Sequence, residues 1–322
     1  MAGIQDVARI AGVSQSTVSY VLSGRRPISD ATRKKVLAAI EALDYHPHAG
    51  ARALASSRTH IIGLGVPMRA GVDVNVIMQF VAGIATRARH YDLDVLLVTE
   101  REVGGIESIS RRSMADGFIV MDVESQDARI ESLARLKQPS VLIGMPDDPG
   151  SASCIDFDFE LAGTMAVRQL ATEGHTSLAL IGAAPEVYAR GTSYAIRFAA
   201  GVEREANRRG VTAARSACSG DAGETHALVD KLLGDGVTGF IVHNEAALPS
   251  VVAALAGRGQ EVAEKIKVVA IGPRALLASP LLNTGVIDIP GHTIGGHAVD
   301  MLIDLIDGKA LPERRLVAPK AD

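Results

Sequence analysis

The sequence predicts a small all-α N-terminal domain followed by an α/β core of two doubly wound, parallel-sheet subdomains. The chain has 322 residues, which exceeds the size of one ordinary domain. Residues 4–58 place apolar side chains at helical spacing in short segments, whereas the chain from residue 61 alternates short β-rich runs with longer helical stretches. The predicted units are a head of residues 1–46, a connecting segment of residues 47–60 and a core of residues 61–322.

Three short helices are predicted in the head. Gly12 permits a sharp turn after the first helix because it has no Cβ, and Ser14 is placed to cap the second helix. Ser29 is placed to cap the third. The side chains predicted to form a shared core are Ile4, Val7, Ala8, Ala11, Val18, Val21, Leu22, Val36, Leu37, Ile40 and Leu43. This arrangement is that of a helix-turn-helix.

A polar face remains on the second helix once its apolar side chains are assigned to the core. It presents Gln15, Ser16, Ser19 and Tyr20. Gln can pair bidentately with adenine, Ser can donate or accept, and Tyr offers a hydroxyl or an apolar edge to a thymine methyl group. The head therefore predicts a double-stranded DNA partner rather than a reaction. A three-helix bundle with no DNA function is the alternative.

The segment after the head has a helical composition but little to bury. Within residues 47–56, Leu54 is the only bulky apolar side chain, and Gly50 costs a helix interior about 1 kcal/mol relative to Ala. Isolated helices shorter than about 12 residues are marginal in water. We therefore expect a hinge helix that is mostly disordered without DNA. The alternative for Leu54 is a linker residue that packs on the neighbouring domain.

Charge is distributed unevenly along the chain. Residues 1–60 contain eight Lys or Arg and four Asp or Glu, a net charge of +4. The whole chain carries −4, so the other 262 residues carry −8. A basic head on an acidic body favours head-first docking on phosphate, with an affinity that falls steeply as salt rises.

The core is predicted from its alternating elements. The candidate strands are residues 61–66, 94–98, 117–121, 140–143, 178–182, 240–243 and 267–271. The candidate helices are residues 74–91, 126–137, 158–173, 191–209, 223–234, 245–258 and 290–308. This alternation predicts parallel strands joined by crossover helices. Cys154 and Cys218 lie far apart in the sequence and are expected to be buried thiols.

A helix-turn-helix, a hinge with Arg52 and Leu54, and then a strand-like run at residues 61–67 together resemble the LacI/GalR family of bacterial transcriptional regulators. The resemblance covers the whole chain. It implies a periplasmic-binding-protein-like core with a ligand cleft between its subdomains, at the carboxyl ends of the strands. The implied subdomains are about 61–157 with 290–310, and about 158–289 with 311–322.

The resemblance also implies how DNA is held. In the family, the hinge helices of two protomers pair over the centre of a palindromic operator, and the leucine that matches Leu54 wedges into a minor-groove base step. The residues implied to contact DNA are Ser14, Gln15, Ser16, Thr17, Ser19, Tyr20, Arg26, Ser29, Arg52, Leu54 and Ala55. Ala55 stands where some relatives carry lysine, and Tyr20 where arginine or histidine is common. The half-site sequence therefore cannot be copied from a well-known relative.

A small-molecule effector, a sugar or another metabolite, is a further implication of the resemblance. The pair Gly174-His175 fixes the register, and Arg197 then matches the arginine with which relatives hold effector. A guanidinium group suits hydroxyls or a carboxylate. The residues implied for this site are Arg197, Ser193 and Asn244. Arg69, Asp73 and Asn75, in the loop at residues 66–75, could supply further polar groups. The alternative for Arg197 is an exposed arginine on an amphipathic helix.

Three departures from the family pattern bear on that effector. Gly272-Pro273 replaces the acidic position that commonly accepts sugar hydroxyls, and Phe159 stands where asparagine is frequent. The loop at residues 66–75 lacks the usual Asn-Pro-Phe-Phe. These departures argue against a plain hexose.

Other classes of function find little support. No Gly-x-Gly-x-x-Gly, Walker loop, nucleophile elbow or His-Glu-x-x-His is present, so no catalytic residue, metal ligand or cofactor is predicted. No apolar run approaches the ~20 residues of a membrane span, and the first residues lack signal-peptide character, which favours the cytoplasm and the nucleoid. The predicted function is a homodimeric, ligand-responsive transcriptional repressor. The alternatives are a solute-binding receptor-like protein and an α/β enzyme with an appended DNA-binding head.

Overall fold

The head consists of three helices, α1 (Ile4–Ala11), α2 (Gln15–Ser23) and α3 (Asp30–Ala42). The computed structural model describes residues 3–23, 26–45, 58–66, 68–99, 104–277 and 284–320. Gly12 ends α1 in a left-handed conformation with φ of +66°, which a side chain would oppose. The amide of Thr17 donates to Ser14 Oγ over 3.1 Å, and the amide of Thr32 donates to Ser29 Oγ over 3.3 Å. The predicted turn and both predicted caps are therefore confirmed.

The core of the head is smaller than predicted. Val7, Val18 and Val36 are fully buried, but Leu22 is 36% exposed and Leu37 is 51% exposed. The inward placement of these two leucines is therefore wrong. Buried Ala39 and Tyr45 complete the core instead, because Tyr45 folds back after α3 and fills the space beside it with one large ring.

The first half of the core is a six-stranded parallel sheet. Its strands are β1 (Ile61–Gly65), β2 (Asp94–Val98), β3 (Gly117–Val120), β4 (Ser140–Ile143), β5 (Ser153–Phe157) and β11 (Arg314–Val317), in the order β11-β5-β4-β3-β1-β2. Its helices are α4 (Val74–Arg89), α5 (Gly104–Arg111), α6 (Arg129–Ala134) and α14 (Gly291–Ile306).

The second half is a five-stranded parallel sheet. Its strands are β6 (Ser177–Gly182), β7 (Thr212–Ala217), β8 (Gly239–Val242), β9 (Lys267–Gly272) and β10 (Thr284–Asp288), in the order β10-β9-β8-β6-β7. Its helices are α7 (Phe159–Thr172), α8 (Pro185–Ala189), α9 (Ser193–Arg209), α10 (Ala222–Gly234), α11 (Leu248–Ala256), α12 (Gln260–Lys265) and α13 (Arg274–Leu277). Two parallel sheets with crossover helices confirm the predicted fold class.

One predicted assignment within the core is wrong. Strand β11 pairs with β5 in the first sheet, with Arg314 opposite Cys154, so residues 314–317 do not belong to the second half as predicted for 311–322. The strand lies at the edge of its sheet and Leu316 is 46% exposed. An exposed edge strand has no continuous apolar run, so the sequence does not show to which sheet it belongs.

The two halves are built alike around closely packed helix pairs, α4 with α14 and α7 with α9. A Cβ at Gly83 would collide with the carbonyl oxygen of His292, and one at Gly201 would collide with that of Glu160. Glycine is thus required at both positions for the helix backbones to touch. The N-termini of these four helices lie between the carboxyl ends of the two sheets.

Candidate nucleic-acid interface and ligand cleft

The outer face of α2 is free to meet a partner. Gln15 and Ser16 are exposed, and Ser19 and Tyr20 are half-buried. The Ser14 hydroxyl is engaged locally, 2.8 Å from Ser16 Oγ and 2.9 Å from Thr17 Oγ1. Ser14 therefore fixes the start of the helix, while the Gln15 amide remains available to a base edge.

Arg26 packs against the side of this face. Its guanidinium carbon lies 5.4 Å from the centre of the Tyr20 ring, a cation–π arrangement that orients both side chains. The Ser29 hydroxyl is used as the cap of α3 and lies 2.9 Å from Thr32 Oγ1. Of the other residues implied to contact DNA, the hinge positions Arg52, Leu54 and Ala55 lie outside the described residues.

A cavity of about 340 Å³ lies between the two halves, at the carboxyl ends of both sheets. This is where open α/β sheets bind ligands, and the volume is that of a small-molecule site. Its polar lining side chains are Asp73, Asp122, Asp156, Tyr194, Ser219, His243, Asn244 and Glu245. Its apolar walls include Ile77, Phe80, Met121, Phe159 and Ile289.

Four titratable side chains of the cavity, Asp122, Asp156, His243 and Glu245, have shifted pKa values. Burial raises the pKa of Asp156 to about 7 and that of Glu245 to about 7, since charge is costly away from water. Burial also raises the pKa of Asp122, against the opposing effects of Arg69, Arg190 and Arg129. Burial lowers the pKa of His243 to about 3, so its imidazole is neutral at physiological pH.

Arg197 contacts a carboxylate that lines the cavity but does not line the cavity itself. Its Nη1 donates to Asp156 Oδ2 over 2.7 Å, and its Nη2 lies 3.9 Å from Asp158 Oδ1. The side chain is only 17% exposed and is not among the lining residues. The structure therefore places Arg197 behind a cavity carboxylate, as the residue that orients it, rather than on an exposed helix face.

The remaining predicted effector residues divide into two groups. Asp73 and Asn244 line the cavity. Ser193 is buried and donates its hydroxyl to the carbonyl of Met145, so that hydroxyl is already used. Asn75 is exposed and absent from the lining, because Asp73 caps α4 by accepting from the Asn75 amide over 2.8 Å and the helix turns Asn75 outward. The expected direct roles of Ser193 and Asn75 do not match these positions.

The predicted set of effector residues omits three carboxylates of the cavity, Asp122, Asp156 and Glu245. Asp122 and Glu245 each follow the carboxyl end of a buried strand, β3 and β8, which is the available signal. Glu245 also lies over Gly272, where a Cβ would come within 2.8 Å of Glu245 Oε1. The carboxylate missing at Gly272 is therefore replaced in space by the one at Glu245.

Hydrogen bonds join the two halves beside the cavity. The amide of Ser125 donates to the carbonyl of Gly191 over 2.7 Å, and that of Ser193 donates to the carbonyl of Val123 over 3.0 Å. Arg190 Nη1 donates to the carbonyl of Ala70 over 2.9 Å. Because these contacts and the Arg197–Asp156 pair all span the boundary, a ligand in the cavity is positioned to change how the halves are held together.

The described residues contain no group of three or more His, Cys, Asp or Glu side chains arranged to hold a metal ion. No helix in the described ranges is long and apolar enough to cross a membrane. Cys154 and Cys218 are buried and unpaired, which confirms that they are buried thiols.

Known proteins share both parts of this architecture. The family of bacterial regulatory proteins, lacI family, matches residues 3–48, and a periplasmic binding protein-like domain matches residues 167–321. Catabolite control protein A of Streptococcus mutans serotype c is 26% identical over 322 residues, covering 98% of this chain and 94% of that protein. Catabolite control protein A of Priestia megaterium is 32% identical over 185 residues, covering 55% of this chain and 54% of that protein.

Among solved structures, the Lac repressor dimer bound to operator and the anti-inducer ONPF has a TM-score of 0.81 at 25% identity, covering 99% of this chain and 97% of that chain. A helix-turn-helix head joined to a two-sheet core with a ligand cleft defines a DNA-binding transcriptional regulator. The chain belongs to the LacI family of bacterial regulatory proteins. The resemblance found in the sequence is thereby confirmed.

Proposed function

We propose that this chain is a repressor that acts as a homodimer in the cytoplasm, binds a palindromic operator and changes its affinity when a small-molecule effector enters the cleft. The observation that carries the proposal is the presence, in one chain, of an exposed α2 face and of a cavity lined from both halves of the core.

The head supplies the features that DNA reading needs. Gln15 and Ser16 stand exposed at the start of α2, and the head carries the excess of positive charge. Base edges in the major groove distinguish all four base pairs, so a few such side chains suffice for sequence recognition. The basic head supplies the less specific attraction to phosphate.

The cleft supplies the means of control. An effector shifts the balance between two states only by its different affinity for them. A ligand that bridges Asp122 of the first half and Glu245 of the second has such a difference, because the distance between the halves changes its contacts. The angle between the halves then sets the separation of the two hinges in a dimer.

A dimer is proposed because a palindrome presents two half-sites related by twofold symmetry. Of the apolar side chains on α4, Ile77, Phe80 and Ile84 are buried in the core, whereas Val74 is 51% exposed and Met78 is 46% exposed. Val74 and Met78 lie one turn apart and form an exposed apolar face. Leu276 on α13 is also exposed. We propose these faces as candidate contacts between protomers.

Selection of bound duplexes from a random DNA pool by the full chain tests the proposal, with the selection repeated in the presence of candidate small molecules. The expected result is one enriched sequence with two inverted half-sites, whose recovery changes when a cleft ligand is added. Recovery of duplexes with no common sequence would contradict the assigned function.

A further inference from the structure

The polar lining of the cavity offers many acceptors and few donors. Four of its side chains are carboxylates, Asp73, Asp122, Asp156 and Glu245, and among the described lining residues there is no Lys or Arg. Carboxylates accept hydrogen bonds and donate none when ionised. A ligand that satisfies this lining must therefore bring donors.

Arginines behind the lining do not balance the charge. Arg69 Nε lies 3.4 Å from Asp122 Oδ2, but its Nη1 is paired with Glu124 as well. Arg197 is shared between Asp156 and Asp158, and Arg190 Nη1 donates to a backbone carbonyl, whereas its Nε and Nη2 have no hydrogen-bond partner. With Arg129 and its partner Asp127 included, four guanidinium groups face seven carboxylates in and around the cavity, so the carboxylates are in excess by three.

Few donors among the lining side chains remain for a sugar. Asn244 Nδ2 donates one of its two N–H groups to the carbonyl of Cys218 over 2.7 Å, and its Oδ1 accepts from the amide of Ala247 over 3.2 Å. The Ser219 hydroxyl donates to Glu224. Among the described lining side chains, the second N–H group of Asn244, Tyr194 and His243 are left as donors. Sugar hydroxyls require acceptors and donors together, whereas a cation requires acceptors alone.

Two buried polar side chains of the lining each carry one atom without a hydrogen-bond partner. Asp122 is 5% exposed and its Oδ2 accepts no hydrogen bond, with Arg69 Nε at 3.4 Å as its nearest ion-pair contact. His243 is 4% exposed and its Nδ1 is also without a partner. A buried polar atom left unpaired carries a desolvation cost that a ligand can relieve. A ligand that pairs with Asp122 Oδ2 or His243 Nδ1 would relieve this cost.

Glu245 stands in the space that Gly272 leaves open. A Cβ at residue 272 would lie 2.8 Å from Glu245 Oε1 and 2.9 Å from Glu245 Cγ. The cavity thus keeps a carboxylate on this wall but carries it on a longer side chain from a different strand end. No ion pair with an arginine or lysine fixes Glu245 among the described residues, in contrast to Asp156. Its charge is available to a ligand.

We propose, on the basis of the function proposed above, that the effector is an organic cation, a small molecule whose protonated amine binds between Asp122 and Glu245 and whose apolar body packs on the aromatic walls. Phe80, Phe159 and Tyr194 supply those walls, and the rings of Phe159 and Tyr194 lie 5.5 Å apart. Aromatic faces attract a cation and also shelter a planar or aliphatic body.

The pKa shifts of the cavity carboxylates favour a cationic ligand. Burial raises the pKa of Glu245 to about 7, and it raises that of Asp122 against the opposing effects of Arg69, Arg190 and Arg129. A cation bound beside these groups favours their charged forms and lowers both pKa values. Binding therefore releases protons at neutral pH, and the affinity for an amine rises with pH until the carboxylates are fully ionised.

Calorimetric titration of the full chain with matched ligands tests the proposal. The probes share a skeleton and differ in one group: tyramine, tyrosol and 4-hydroxyphenylacetate for an aromatic body, hexylamine, hexanol and hexanoate for an aliphatic one, with cellobiose as a neutral sugar. We expect at least one amine to bind with a Kd tenfold or more below those of its alcohol and carboxylate. Tighter binding of cellobiose, an alcohol or a carboxylate, or failure of both amines to bind, would overturn the proposal.

Variants locate the binding in the cleft. Glu245→Gln keeps the shape and removes the charge, and we expect it to raise the Kd of the bound amine tenfold or more. Glu131→Gln is the matched control, because Glu131 is 81% exposed on α6, pairs with Arg135 and is not among the residues that line the cavity. Asp122→Asn provides a second test if Glu245→Gln does not fold. An unchanged amine Kd in the folded variant also overturns the assignment.

DNA selection and ligand titration on the same preparation distinguish a failure of this proposal from a failure of the proposed function. DNA selection is carried out without any ligand, so an enriched palindrome together with failure of the amines rejects the organic cation and leaves the repressor. An amine that binds to a chain that selects no DNA sequence supports the cation site and rejects the repressor.

Discussion

Arg197 donates to Asp156 across the boundary between the two halves of the core, with 2.7 Å between Nη1 and Oδ2. Arg197 lies on α9 of the second half and Asp156 on β5 of the first. Their side chains are 17% and 6% exposed, so the pair is largely shielded from water. Arg197 thus links the halves and holds a cavity carboxylate at the same time.

Removal of Arg197 is expected to destabilise the core. In Arg197→Ala, Asp156 keeps its burial and loses its partner, and breaking a buried ion pair in this way costs about 3 kcal/mol or more in the free energy of unfolding. Urea denaturation followed by circular dichroism measures the change. Arg204→Ala is the control on the same helix, since the Arg204–Glu160 pair is exposed and is worth about 1 kcal/mol at most. Equal losses in the two variants would contradict the role given to the Arg197–Asp156 pair.

Gln15→Ala is expected to relax DNA specificity. The exposed amide of Gln15 is free to pair with a base edge, and loss of such a pair costs about 1–3 kcal/mol of discrimination at one position. Operator titrations with single base-pair changes measure the effect, which should be confined to one position of each half-site. Gln5→Ala, an exposed glutamine on α1, should leave the discrimination unchanged. A uniform loss over all sequences would mean that Gln15 contacts backbone only.

Leu54→Ala tests the hinge prediction, which lies outside the described residues. If Leu54 wedges into a base step at the operator centre, its loss weakens operator binding far more than binding to unrelated DNA, because only the bent operator gains from the wedge. Parallel gel-shift titrations on both duplexes measure the two losses. Leu311→Ala removes an 85% exposed leucine and serves as the control. Equal weakening on both duplexes would show that Leu54 is no wedge.

The cavity carboxylates should make stability depend on pH. Burial raises the folded-state pKa of Glu245 to about 7 from an unperturbed value near 4.5, so the folded chain binds a proton that the unfolded chain releases. The stabilising effect of that proton is fully present below about pH 4.5 and is lost as the pH rises through about 7. Glu245→Gln has no such proton to lose.

Denaturation of both proteins across pH 4.5 to 7 measures this difference. We expect the free energy of unfolding of Glu245→Gln to rise relative to the native chain by at most about 1.4 kcal/mol per pH unit. Protonation of Asp156 changes the free energy of unfolding in the same way in both proteins, so its effect cancels from the comparison. Parallel pH curves for the two proteins would contradict the burial of an unpaired Glu245.

The features of the head that were predicted correctly depend on residues that lie close together in the sequence. The left-handed turn at Gly12 and the caps at Ser14 and Ser29 depend on residues within three positions, so a short run of sequence determines them. The predicted burial of Leu22 and Leu37 was wrong because helical periodicity does not show which side of an apolar stripe packs against a neighbouring helix. Tyr45, which lies beyond α3, fills that part of the core instead.

Tertiary contacts explain the other differences. Strand β5 is fully buried although it carries Ser153 and Asp156, and its Asp156 is tolerated because Arg197 reaches it from 41 positions further along the chain. Strand β7 was not predicted, because it lies at a sheet edge and four of its six residues are exposed. In the cleft, the resemblance implied Asn244, and the polar composition of the loop at residues 66–75 suggested Asp73. The contact of Glu245 with Gly272 could not be predicted in the same way, because it depends on the pairing of β8 with β9.

The mass of the protein–DNA complex tests most directly whether two chains bind one operator. Native mass spectrometry of the full chain with the selected duplex should give a complex of two chains per duplex, and duplexes cut to a single half-site should lose most of the affinity. A complex of one chain per duplex, with equal affinity for the half-site and the whole palindrome, would contradict the paired-head account.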